Sequence, residues 1–171
     1  MSVSSLNGNE ISVKMLIMKK ALLLSIFLYF SFALWAQNQP IYADLSADEQ
    51  LSFIGMMMAD LLERFGPPRS VISERGNEAW QDDVVFQYNG ADIYIYRDRI
   101  WQVKLASTHG ISNGDRRAAA LLVLGNKAED KGDHALLSIS GKNWPLMMRV
   151  NFSSNGNSGT VTAIYIYRSD I

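Results

Sequence analysis

The pentapeptide Ile-Tyr-Ile-Tyr-Arg occurs twice, at 93–97 and 164–168. Alternation of this kind fits a strand, whose side chains point to opposite faces in turn, so the isoleucines share one face and the tyrosines the other. Around the first copy, Asp83-Val84-Val85-Phe86-Gln87-Tyr88 leads into Asn89-Gly90, a strong hairpin signal. Arg97-Asp98-Arg99 then turns the chain into Ile100-Trp101-Gln102-Val103-Lys104-Leu105, which alternates again. The spacing predicts an antiparallel meander.

Before the meander, Leu51, Ile54, Met58, Leu61, Leu62 and Phe65 recur at three- and four-residue steps, the apolar stripe of a helix. Ser46 and Glu49 have capping-box spacing at its start. Gly66 can adopt the left-handed conformation that closes a helix, and Pro67-Pro68 cannot continue it. Gly55 inside the stripe costs about 1 kcal/mol relative to Ala, so a break there into two short helices stands as the alternative to one continuous helix. Met56, Met57 and Met58 are read as helix core in preference to a soft binding patch.

The second half is expected to echo the first. Ala106 to Gly114 is a connector, and Asp115 to Gly125 reads as a helix capped by Ser112 or Asn113. Strands follow at Ala135 to Ser140, Trp144 to Phe152 and Val161 to Arg168, with a turn at Gly141-Lys142-Asn143 and a Gly/Asn/Ser loop from Ser153 to Gly159. Leu62 to Gly66 aligns with Leu121 to Gly125, whereas the two Ile-Tyr-Ile-Tyr-Arg copies fall on non-corresponding strands. The fold class expected is α+β: two tandem helix-plus-antiparallel-meander repeats, helices packed on one face of the sheet, in preference to an unrepeated α+β domain. The divisions expected are 1–36 for an N-terminal extension and signal peptide, 37–107 for the first repeat and 108–171 for the second.

Met18-Lys19-Lys20 opens onto an apolar run from Ala21 to Trp35, with small residues at Ala33 and Ala36 where cleavage would fall. The run is shorter than the roughly twenty residues a spanning helix needs. Export to the periplasm or the medium is therefore expected, with Met18 as an alternative start to Met1 and membrane contact only through the uncleaved segment. Removing residues 1–36 leaves 13 Lys+Arg against 16 Asp+Glu. A net-acidic chain lacks the basic stripe that nucleic acid requires and the polybasic patch that anionic lipid requires. The sequence contains no cysteine, which excludes disulfides, thiolate metal ligands and lipid attachment through a thiol.

Ser112 and Asp115, an apolar helix ending in Leu124-Gly125, and a following meander with aromatic strands resemble the SmpA/OmlA-like exported proteins, with the β-lactamase inhibitory protein-like tandem form among them. The similarity spans roughly residues 46 to 168. Phe65-Gly66-Pro67-Pro68 is close to the usual leucine-glycine-x-proline, while Asn126-Lys127 replaces the proline in the second half, and the lipid-bearing cysteine is absent. The resemblance implies a protein-binding module without catalysis.

The residues carry little reaction chemistry. His109 and His134 have no partners at metal-ligand spacing, and no metal or other cofactor is expected. Ser138 and Ser140 lack a nucleophile turn, and Asp82-Asp83 and Glu129-Asp130 read as solvated turn acids. The aromatic strands hold more interest. With the isoleucines facing the helices, Tyr94, Tyr96, Tyr165 and Tyr167 share the opposite, wet face, accompanied by Trp101, Trp144, Arg97, Arg149 and Arg168. Tyr, Trp and Arg are the types enriched where proteins grip one another, though tyrosines also pair across strands simply as good β-formers. The function expected is a non-catalytic module that binds an envelope or secreted protein through this face. A small envelope hydrolase using Asp133 and His134, and a purely structural periplasmic domain, are the alternatives.

Overall fold

The computed structural model describes Met18, Lys20 and residues 45–74, 83–141 and 143–170. The chain forms two compact units, Met1–Gln39 and Pro40–Ile171. In the first, Met18 and Lys20 are helical. The proposed cleavage positions at Ala33 and Ala36, the apolar run before them, Asp82 and Lys142 lie outside the described residues.

In the second unit, α1 (Ala47–Leu51) and α2 (Met58–Phe65) precede a four-strand meander: β1 (Ser70–Glu74), β2 (Asp83–Tyr88), β3 (Ala91–Tyr96) and β4 (Arg99–Leu105). A small hairpin, β5 (Ser107–Thr108) and β6 (Ile111–Ser112), leads to α3 (Arg117–Leu124) and a single 3-10 turn. The strands β7 (Glu129–Asp130), β8 (His134–Ser140), β9 (Pro145–Phe152) and β10 (Val161–Arg168) complete the unit.

The expectation of two tandem helix-plus-meander repeats is overturned. All described strands except the β5–β6 hairpin belong to one eight-stranded antiparallel sheet, in the order β1-β2-β3-β4-β10-β9-β8-β7. The joint is the pairing of β10 with β4, Ile164 opposite Leu105 and Ile166 opposite Val103. All four are buried, and burial of each aliphatic side chain stabilises by roughly 1.5–3 kcal/mol. The helices are short and unequal, two before the first strands and one before the last, so the sheet, and not a repeated helix-strand unit, organises the core. The matched helix ends are real but local: Gly66 and Gly125 close α2 and α3 with φ of 72° and 70°.

One sheet face carries the core. Phe53, Ile54, Leu61 and Phe65 from the α1–α2 segment, with Ala120 and Leu124 of α3, pack with Ile93, Ile95, Val103, Met148, Val150, Ile164 and Ile166. This is the inner face, and the isoleucines of both pentapeptides lie on it as the alternation requires. Tyr88 also points inward; its hydroxyl donates to the Gly66 carbonyl at 2.9 Å, tying β2 to the end of α2. Burial pushes this phenol up to about 12.

The apolar stripe of residues 51–65 does divide at Gly55. Ser46 and Glu49 form the capping box of α1, and the linker from 55 to 58 then joins the sheet. Gly55 N–H donates to the Ile100 carbonyl (2.7 Å), Ile100 N–H to Met56 (2.9 Å) and Met58 N–H to Asp98 (3.1 Å). Gly55 has φ 90°, and a Cβ there would overlap the Trp144 indole. Met56 and Met58 pack against the core as expected, while Met57 is exposed.

The start of α3 is not the side-chain cap expected of Ser112 or Asn113. Instead Asp115 accepts from the Ser112 N–H at 2.7 Å. The helix entry is pinned by backbone bonds, Arg117 N–H to Gly159 and Val161 N–H to the Asp115 carbonyl.

Gly55→Ala is expected to lower stability by about 2–4 kcal/mol, combining left-handed strain with overpacking against Trp144. Gly114, also left-handed, has open space where its Cβ would be. Gly114→Ala should therefore cost only the strain, about 1–2 kcal/mol. Urea unfolding midpoints of the two variants check the difference; equal losses would remove Trp144 from the account.

Candidate functional site

The face opposite the helices is built in rows by the strand register. One row runs Ile72, Val85, Tyr94, Gln102, Tyr167, Met147, Ser138, and the next runs Ser70, Gln87, Asp92, Lys104, Tyr165, Arg149, Leu136. Of the residues expected to form the site, Tyr94, Tyr165, Tyr167 and Arg149 are thus brought onto one face. Tyr165 and Tyr167 are two residues apart on β10, roughly 7 Å, and Tyr94 is two strands from Tyr167, roughly 10 Å.

This outer face has two halves. On the β2–β3 side it is closed: Val85 is 1% exposed and Tyr94 6%. Tyr94 is therefore not the solvent-facing ring that alternation suggests. Desolvation, followed by the nearby Glu74 charge, holds its phenol far above the ordinary value. Trp101 joins this half. The β3–β4 pairing shifts register between Tyr94 and Ile95, which are opposite Gln102 and Ile100, so Trp101 is the extra residue of a bulge. Its indole N–H donates to Asp83 at 2.8 Å. Asp83, read from the sequence as a solvated turn acid, is instead buried.

The half built on β4, β10 and β9 is open. Gln102, Lys104, Tyr165, Tyr167, Met147 and Arg149 are all half-buried, each leaving part of its side chain in water. Lys104 pairs with Asp92 at 3.4 Å. Arg149 is oriented by Nε donating to Asn151 Oδ1 at 2.8 Å, which leaves the guanidinium on the same face as Tyr165, its cross-strand neighbour. Aromatic rings, a thioether and an oriented guanidinium on adjacent strands suit another protein's apolar and acidic groups.

The remaining expected residues lie outside these two rows. Trp144 packs against the core on the helix side, and the Arg168 guanidinium stacks on it, 3.7 Å from the ring centroid. Arg168 also donates to both carboxylate oxygens of Asp170 at 3.0 Å. Tyr96 shares the outer face, two residues past Tyr94 at the end of β3, and the Arg97 guanidinium at the β3–β4 turn lies 5.1 Å from its ring centroid. Arg97 and Asp98 both have positive φ, 47° and 66°, the conformation of a type I′ hairpin turn.

Sequence reasoning passed over Arg117. It is 7% exposed at the start of α3, with Nη2 bonded to both oxygens of Asp130, at 2.7 and 2.5 Å, and Nε donating to the Gly132 carbonyl at 3.3 Å. Its guanidinium lies 5.2 Å from the Phe152 ring centroid. Nothing in the spacing of Arg117 and Asp130 signals the pair, because β7 and α3 meet only through the tertiary fold. The Gly132 N–H, then Arg117, holds the Asp130 carboxyl below its ordinary value.

His134 Nδ1 lies 2.7 Å from Asp133 Oδ1. Ser138 is four residues along the same strand, roughly 13 Å away, so the pair and that hydroxyl do not meet. His109, at φ 50° in the β5–β6 turn, borders a shallow cleft of about 250 Å³ with Leu45, Gln50 and Ser112. Desolvation lowers its pKa, opposed by Asp48. Among the described residues no three His, Cys, Asp or Glu side chains are grouped to hold a metal ion.

No family model matches the chain, and no curated protein matches it. Among solved structures it is similar to an extracellular protein containing an SCP domain from Bacillus anthracis str. Ames, with 11% identity and a TM-score of 0.44. That match covers 70% of this chain and 45% of the other. It is also similar to a cysteine-rich secretory protein from Staphylococcus aureus subsp. aureus Mu50, with 13% identity and a TM-score of 0.43, covering 70% and 46%. The chain spans less than half the length of either.

Asp130→Asn offers a test of the Arg117 site by pH. A carboxyl whose folded pKa is depressed contributes stability that is full above its unfolded value, near 3.8, and is lost as pH falls through the folded value. The stability gap between parent and Asp130→Asn, measured by urea unfolding, should be widest near neutrality and shrink below about pH 4. A gap independent of pH would remove the carboxylate's charge from the explanation.

Proposed function

We propose that this is an exported, non-catalytic module that binds an envelope or secreted protein through the open half of its outer sheet face. The observation that carries the reading is the grouping of Tyr165, Tyr167, Met147 and Arg149 on the neighbouring strands β10 and β9, half-exposed, with the described helices on the other side of the sheet. Tyrosines on a strand supply large contact area at low entropic cost, and Arg149 adds an oriented cation. Export is supported by the charged start and apolar run at residues 18–35. No helix among the described residues is long and apolar enough to cross a membrane. The resemblance to the SmpA/OmlA-like proteins supports the same reading at the level of protein binding.

Tyr94, Trp101, Trp144 and Arg168 act here as supports of the face and its edges, because their polar or ring contacts are made within the chain. Tyr165→Ser and Tyr167→Ser should leave the melting temperature within a few degrees of the parent, yet each should weaken the partner by roughly tenfold or more. Tyr94→Ser should instead lose stability. A photo-crosslinker at position 167 is expected to capture an exported protein that one at position 122, on α3, does not. Capture from both positions equally, or tyrosine variants that bind as the parent does, would overturn the reading.

A further inference from the structure

The two edges of the sheet are unlike. The β7 edge is two residues long, Glu129-Asp130, followed by Lys131, which pairs with Glu129, while Asp130 is held by Arg117. Short and charged, it is blunted in the way that prevents strand addition. The β1 edge is five residues, Ser-Val-Ile-Ser-Glu, exposed throughout. It carries no Lys, Arg or Pro, and Val71 and Ile72 are 56% and 45% exposed on its opposite faces. Its single charge, Glu74, lies at the end of the strand. Among the described residues β1 pairs with β2 on one side only.

We propose that β1 docks a second copy of this chain, pairing antiparallel with its own counterpart to join two sheets edge to edge. The strand is self-complementary about Ile72. Folded onto itself antiparallel, it sets Ile72 opposite Ile72, Val71 opposite Ser73 and Ser70 opposite Glu74. Apolar meets apolar at the centre, a hydroxyl meets the carboxylate at each end, and within the five residues of the strand no like charges face one another. The symmetry axis of such a pair stands normal to the sheet, so the outer faces of both copies look the same way. Two binding faces then sit on one continuous surface, a bivalent arrangement in which a second contact is intramolecular.

A contact this short belongs with weak, reversible interfaces. Sedimentation velocity of the purified protein from about 1 to 200 μM should show a concentration-dependent monomer–dimer equilibrium. Ile72→Lys and Ile72→Glu each place like charges across the axis and should shift the midpoint at least tenfold upward, with unchanged far-ultraviolet circular dichroism. Mixing the two variants should restore association, since a mixed pair sets an ammonium opposite a carboxylate across the axis. Leu122→Lys, at the most exposed apolar residue of α3, should leave the equilibrium untouched. A parent protein that is monomeric throughout, a mixture that fails to associate, or dimers lost through Leu122→Lys alone would overturn the proposal.

Discussion

The pairing of β10 with β4 is the contact on which the rest of this fold depends. It sets Leu105 beside Ile164 and Val103 beside Ile166, four buried aliphatic residues at the centre of the sheet. These strands are far apart in sequence, so closing the loop between them costs entropy before any contact repays it. Once made, the joint turns two meanders into one sheet and gives the short helices a common floor. The helices do not stand alone: α1 has five residues and α2 and α3 eight each, below the length at which a helix holds in water without packing.

The same joint creates the outer face. Tyr165 and Tyr167 lie on β10, and they adjoin Gln102 and Lys104 on one side and Met147 and Arg149 on the other only because β10 lies between β4 and β9. The helices pack over the centre of the inner face, while the outer face is closed on the β2–β3 side, where Asp83, Val85 and Tyr94 are buried. A sheet closed on one side and partly open on the other gives rigid placement to side chains that remain available, which is a useful base for recognition.

Much of this was legible along the chain because it rests on local rules. The isoleucine–tyrosine alternation, the Ser46–Glu49 capping box, the closing glycines at 66 and 125 and the break at Gly55 each depend on residues within a turn or two of one another. What was not legible depends on distant partners. Tyr94 and Tyr165 occupy equivalent places in identical pentapeptides, yet Tyr94 is buried beside Glu74 and Tyr165 is not; no periodicity distinguishes them. The bulge at Trp101 changes its face by one residue, and the Arg117–Asp130 pair joins elements whose meeting no spacing announces. The tandem-repeat reading failed for the same reason. Similar helix ends reflect the shared demands of a glycine stop, whereas the strand order is settled by which edges find each other.

The inequality of the two sheet margins carries a consequence for how large any assembly becomes. Once the long apolar margin is consumed in a symmetric pair, every margin left outward is the stubby acidic one at Glu129-Asp130. Along this sheet, growth then has no further long template among the described residues, so edge-to-edge union stops at two chains and does not run on into fibres.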